Sequence, residues 1–193
     1  QVTAHIEFYM RDAGAEGTSF DTIAASGIHS SMPHAVPTDK VLEEGDFLTM
    51  DFGCLVNGYC SDMTRTIVYG RADDKQKEIY DVVLRAQMAA IQAIKPGMTG
   101  REVDAIARDI ITEAGYGECF GHALGHSVGL EIHETPCFSK REESVIEPGM
   151  VITVEPGIYV EGFGGVRIED VVVITEDGCE DITHSPKERM EIQ

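Results

Sequence analysis

This chain echoes itself, and the echo constrains its fold more than anything else in the sequence. Val2-Thr-Ala-His-Ile-Glu-Phe-Tyr-Met-Arg-Asp-Ala-Gly14 aligns with Val103-Asp-Ala-Ile-Ala-Arg-Asp-Ile-Ile-Thr-Glu-Ala-Gly115 at an offset of 101 residues. Glu44-Gly-Asp-Phe-Leu-Thr-Met-Asp51-Phe-Gly53 aligns with Pro148-Gly-Met-Val-Ile-Thr-Val-Glu155-Pro-Gly157 at an offset of 104. Offsets this close point to an internal duplication, with pseudo-repeats over about 1–70 and 97–176. The 193 residues then form one domain of two intimately packed halves. A pseudo-twofold arrangement sets Asp51 and Glu155 on opposite sides of one central cleft.

Local patterns fill in the halves. Val2, Ile6, Met10 and Ala13 make a helical stripe that Gly14 ends. Thr22 to Ala25 reads as a short strand, and Met32-Pro-His-Ala-Val-Pro37 as a proline-punctuated loop. Phe47 to Val56 and Tyr59 to Tyr69 read as strands around Asn57-Gly58, a strong hairpin turn. A helix is expected over about Asp74 to Ile94, stopped by Pro96-Gly97. Thr99 and Glu102 have capping-box spacing for the next helix, which runs to Ala114. Strands dominate from Cys119 to about Glu176. The mixture is α+β, with helices on one side of an antiparallel sheet.

Charge and cysteine usage exclude some functions. A formal net charge of -19 repels phosphate backbones and anionic lipid, so neither nucleic acid nor membrane is an expected partner. No apolar run is long enough to span a bilayer. The five cysteines lack CxxC spacing and suit reduced thiols in a cytoplasmic protein. The chain opens on Gln1 inside an expected helix, so it reads as a piece of a longer chain.

The chemistry lies in carboxylates and histidines. With Asn57-Gly58 as a two-residue turn, Asp51 faces Thr64 and has Asp62 as its diagonal neighbour, close enough to share an ion. Glu155 ends an apolar strand, and Glu169 lies in Gly-Val-Arg-Ile-Glu-Asp. Their even spacing needs a bulge or an odd-length turn for both to share a face. In Gly121-His-Ala-Leu-Gly-His126-Ser-Val-Gly-Leu-Glu-Ile-His133, the last two histidines are seven apart. Both can serve one site only if the chain bends near Gly125 or Gly129. Asp51, Asp62, His126, Glu155 and Glu169 together are too rich in carboxylate for one zinc and suit a pair of divalent ions. The hard donor set favours manganese, with cobalt, iron or zinc as alternatives. No Gly-x-Ser-x-Gly elbow or recognisable cysteine motif supports a covalent nucleophile.

At these residues the chain resembles the pita-bread metallopeptidases: Xaa-Pro dipeptidase (prolidase), Xaa-Pro aminopeptidase (aminopeptidase P) and methionine aminopeptidase. Ser61-Asp-Met-Thr-Arg-Thr66, Pro33-His34-Ala-Val-Pro37 and Gly-Val-Arg167-Ile-Glu169-Asp resemble the proline-directed branch. The resemblance implies a creatinase/aminopeptidase-like fold and a dinuclear centre on the five residues above. It further implies a metal-bridged hydroxide that attacks the bond before proline in peptides or dipeptides. Glu155 would take the water's proton, and His133 would help stabilise the oxyanion. His34 and His122 would position substrate, and Arg167 would stand beside the metal carboxylates. The resemblance implies an N-terminal domain that is expected to be absent from these 193 residues, and a homodimer at full length. The competing readings are a methionine aminopeptidase-like enzyme, a non-catalytic pita-bread binding module and a metal-independent creatinase type.

Overall fold

A computed structural model describes residues 1–193. Helix α1 spans Val2–Asp12, α2 spans Asp74–Ala93 and α3 spans Gly100–Glu113. The strands are β1 Gly17–Thr18, β2 Ile23–Ser26, β3 Phe47–Phe52, β4 Cys54–Val56, β5 Tyr59–Cys60, β6 Met63–Tyr69 and β7 Gly125–Ser127. They continue as β8 Glu134–Phe138, β9 Val151–Val154, β10 Gly157–Val160, β11 Gly164–Arg167, β12 Asp170–Ile174, β13 Cys179–Asp181 and β14 Glu191–Ile192.

Both long helices start on capping boxes: Asp73 with Gln76 for α2, and Thr99 with Glu102 for α3. Each box satisfies amide donors that the first turn leaves unpaired. Their apolar faces then pack together and onto the sheets. Ile79, Val83, Ala86 and Ala90 of α2 and Val103, Ala107 and Ile111 of α3 join one core with Ile152, Val154, Ile158, Val166 and Val172. All are buried, and each valine or isoleucine among them adds about 1.5–3 kcal/mol against the exposed chain.

The expected single antiparallel sheet is instead several sheets. One has the order β14-β6-β3-β2, a second β13-β12-β9-β7-β8, and smaller ones β1-β4-β5 and β10-β11. The β14–β6 pairing is parallel. Within the large sheets the antiparallel triplets β2-β3-β6 and β7-β9-β12 have the same order. The echoed glycines match in backbone: Gly45 and Gly149 have φ of 91° and 90°. Helix α1 forms where the stripe places it, but none of its residues is buried and Phe8 and Tyr9 are 61% and 69% exposed. Its apolar stripe is only half-covered and adds little to the core. No helix is long and apolar enough to cross a membrane.

Candidate metal centre

Each pair of site carboxylates comes from one strand pair. In the first, Asn57 and Gly58 take φ of 52° and 78°, the left-handed turn that a two-residue hairpin needs. Asp51 then pairs with Thr64, as the spacing predicts. The ladder ends at Phe52–Met63, and the chains cross tightly at Gly53, where an added Cβ would sit 1.9 Å from the Ser61 carbonyl. Asp62 follows that crossing, buried beside the same cavity as Asp51.

In the second pair, β9 and β12 end on Val154–Asp170, so Glu155 and Glu169 are the next pair outward. Beyond them β10 and β11 continue the same register from Gly157–Arg167 to Val160–Gly164. The closing turn is Glu161–Phe163, the odd-length turn that their spacing requires. Between the histidines the ladder slips after His126, the expected bend takes the form of this bulge plus the irregular stretch through Gly129, and the rings of His126 and His133 meet with centroids 4.4 Å apart.

These side chains line a cavity of about 330 Å³. Donor atoms of Asp62, His126 and Glu169 lie within 4.8 Å of one another. His126 Nε2 is 3.5 Å from Asp62 and 3.4 Å from Glu155. Asp51 is held differently: Oδ2 accepts from Arg167 at 2.5 Å, and Oδ1 is buried without a hydrogen-bond partner. Arg167 also donates to Thr64 Oγ1 at 3.0 Å and to the Tyr159 hydroxyl at 2.8 Å, and stands 4.0 Å from Glu155. His122 Nε2 meets Tyr159 at 2.9 Å. His34 and His133 also line the cavity and are exposed.

Sequence reasoning missed Tyr159, which joins Arg167 to His122. Its signal was the two-residue period from Glu155 through Gly157. An added Cβ on Gly157 would meet the Tyr159 hydroxyl at 2.6 Å, so the small residue leaves room for the ring.

Electrostatics describe a pocket short of positive charge. Burial, with Asp51 and Glu155 nearby, pushes the Asp62 carboxyl up to about 8. Burial raises Glu155 to about 7, against the pull of Arg167. Burial also raises Asp51, and it raises Glu169 well above the usual carboxylate range. His122 and His126 are pushed down to about 4, mainly by burial. A neutral imidazole is the form that ligates metal. Bound divalent ions would lower these raised carboxyls again. The orphaned Asp51 oxygen and the converging donors therefore fit bound cations.

The model of metallopeptidase family M24 matches residues 1–176. The chain belongs to that family. It is 55% identical over 188 residues to the Xaa-Pro dipeptidase of Pyrococcus furiosus, covering 97% of this chain and 54% of that one. The solved Xaa-Pro dipeptidase from Bacillus anthracis superposes with a TM-score of 0.98 at 56% identity, covering 99% of this chain and 54% of that one. The X-Pro aminopeptidase from Thermotoga maritima superposes at 0.97 with 48% identity, again with 99% and 54% coverage. The chain thus spans about half the length of the relatives it matches. Its fold is the pita-bread fold of M24 proteins.

Proposed function

We propose that this M24 chain carries the catalytic centre of a dinuclear metallopeptidase that hydrolyses the bond before proline. One observation supports this most: Asp51 and Asp62 from one sheet, and His126, Glu155 and Glu169 from the other, converge on one cavity. These five residues would hold two divalent ions, with manganese suited to the oxygen-rich donor set and cobalt, iron or zinc as alternatives. When bound, such a pair supplies Lewis acidity at the scissile carbonyl and ionised water at neutral pH.

The protein's residues do the rest. Glu155 accepts the water's proton and returns it to the proline nitrogen as the amide breaks. Its buried position beside Arg167 suits a carboxyl that exchanges protons near neutrality. His133, beside His126, donates to the tetrahedral oxyanion. His34 at the rim and His122 in the wall position the peptide. Phe20, Ile23 and Ile132 supply an apolar wall for a pyrrolidine ring or neighbouring side chain. Arg167 fixes Asp51 and Thr64, so the ligand cluster is set before substrate arrives. The homodimer expected at full length and the cytoplasmic setting read from the cysteines belong to the same reading.

The test is a panel of Xaa-Pro dipeptides, Xaa-Pro-extended peptides and Met-Ala peptides, offered to the full-length protein with manganese. Cleavage before proline is expected, and the preferred length separates dipeptidase from aminopeptidase. Cleavage only after methionine would move the assignment to the methionine branch. Metal binding without cleavage of any peptide would favour a binding module.

A further inference from the structure

The two ligand-bearing sheets meet along β6 and β12, which belong to different sheets. Glu169 N donates to the Thr64 carbonyl at 3.1 Å. On the cavity side the Thr64 hydroxyl donates to Glu169 Oε2 at 2.6 Å. One residue further along each chain, side chains turn to the opposite face. There Arg65 meets Asp170 at 2.6 Å, with side-chain exposures of 4% and 0%.

Arg65 uses all five of its N–H donors at this junction. Nε donates to the Pro186 carbonyl at 2.9 Å. Nη1 donates to the carbonyls of Thr64 at 2.9 Å and Glu169 at 2.6 Å. Nη2 donates to Asp170 Oδ1 at 2.6 Å and to the Ser185 carbonyl at 2.9 Å. The other Asp170 oxygen accepts from Gln87 and Lys187, at 2.5 Å each. Lys187 also pairs with Asp181 at 2.6 Å. Ser185–Lys187 lies beyond residue 176, where the family match ends.

We propose that Arg65, buttressed by Asp170 and Ser185–Lys187, is a positioning residue for the metal centre. Arg65 grips the main-chain carbonyls of Thr64 and Glu169, whose side chains hydrogen-bond to each other and of which Glu169 lines the cavity. It thereby sets the distance between the carboxylates of one sheet and those of the other. A lysine keeps the charge and a bond to Asp170. It has three donors and no planar fork, so it cannot hold five acceptors from three segments. This inference rests on the metallopeptidase reading.

The experiment compares wild type, Arg65→Lys and Ile94→Val in the full-length protein. Ile94→Val is a core change, so it controls for general loss of stability. Manganese binding is followed by calorimetry and cobalt binding by visible absorption, well below each melting temperature. Arg65→Lys is expected to bind manganese about 10–100-fold more weakly, the range for partners that orient metal ligands. Its cobalt spectrum should change in shape, whereas Ile94→Val keeps the wild-type affinity and spectrum. Unchanged affinity and spectrum in Arg65→Lys overturns the proposal, whatever its melting temperature. If Arg65→Lys fails to fold, Lys187→Met at the half-exposed end of the network replaces it. Several-fold weaker binding is then expected, and wild-type binding overturns the proposal. A wild-type protein that binds neither metal refutes the metallopeptidase reading itself, and this inference with it.

Discussion

Asp62 condenses the chemistry of the site into one side chain. It is buried, touches His126, and is raised to about 8 by burial and by Asp51 and Glu155. Asp62→Asn removes a ligand and a repulsive charge together. It is expected to lower kcat/KM by at least about a hundredfold, or some 2.7 kcal/mol of barrier. The same variant should melt above wild type when both are metal-free at pH 8. Near-native hydrolysis in Asp62→Asn contradicts its role as a ligand. Tyr159→Phe should cost about 1–3 kcal/mol in thermal unfolding, because it strips a buried partner from Arg167 and His122. Its kcat/KM should fall about tenfold. The fold brings the five residues read from the sequence to one cavity; the four carboxylates among them stood out because carboxylates at the ends of apolar strands need a reason to be buried. Arg65 did not stand out, because its partners at residues 169–170 and 185–186 lie far along the chain, and Tyr159 had only the two-residue period from Glu155 as a signal.

Strands and turns were legible where local chemistry decides them. Asn57-Gly58 forces the left-handed turn, and each capping box starts its helix at the expected residue. The number of sheets was not legible. At Gly53, where the hairpin's own strands approach so closely that an added Cβ would sit 1.9 Å from the Ser61 carbonyl, the ladder breaks and β4 and β5 pair in a separate sheet, which periodicity does not show. The half-covered stripe of α1 was hidden too, since periodicity shows which face is apolar but not what covers it. Two substitutions separate structure from function at this scale. Thr99→Ala removes a cap that does not line the cavity, and should cost about 1 kcal/mol in chemical denaturation without changing hydrolysis. Gly125→Ala places a Cβ 1.9 Å from the Thr153 carbonyl, between β7 and β9. It should cost about 2–3 kcal/mol and also weaken metal binding, because His126 and Glu155 flank that contact.

Across the whole molecule, two strand triplets of the same order account for a site this acidic. Each half contributes a carboxylate pair, and the junction of the sheets brings the pairs together. The metal-free fold must hold that charge by taking up protons. Folded-state pKa values for Asp62 and Glu155 lie above their ordinary values, so the native state binds more protons than the unfolded chain. The stability these carboxyls contribute to the metal-free protein should therefore be fully present only below about pH 4 and be lost progressively as pH rises towards 8, opposed below about pH 6.5 by His122 and His126, whose folded-state values are lowered. Added manganese should raise the melting temperature most at the alkaline end, because it binds the folded carboxylates in place of protons. A metal-free melting temperature that climbs from pH 5.5 to 8 would count against the coupled cluster. The most direct test of the central claim is to strip the full-length protein with chelator and titrate manganese back while following Xaa-Pro hydrolysis. The account predicts negligible turnover in chelator, and activity that saturates as two ions bind per chain. Full turnover with all metal removed would contradict it.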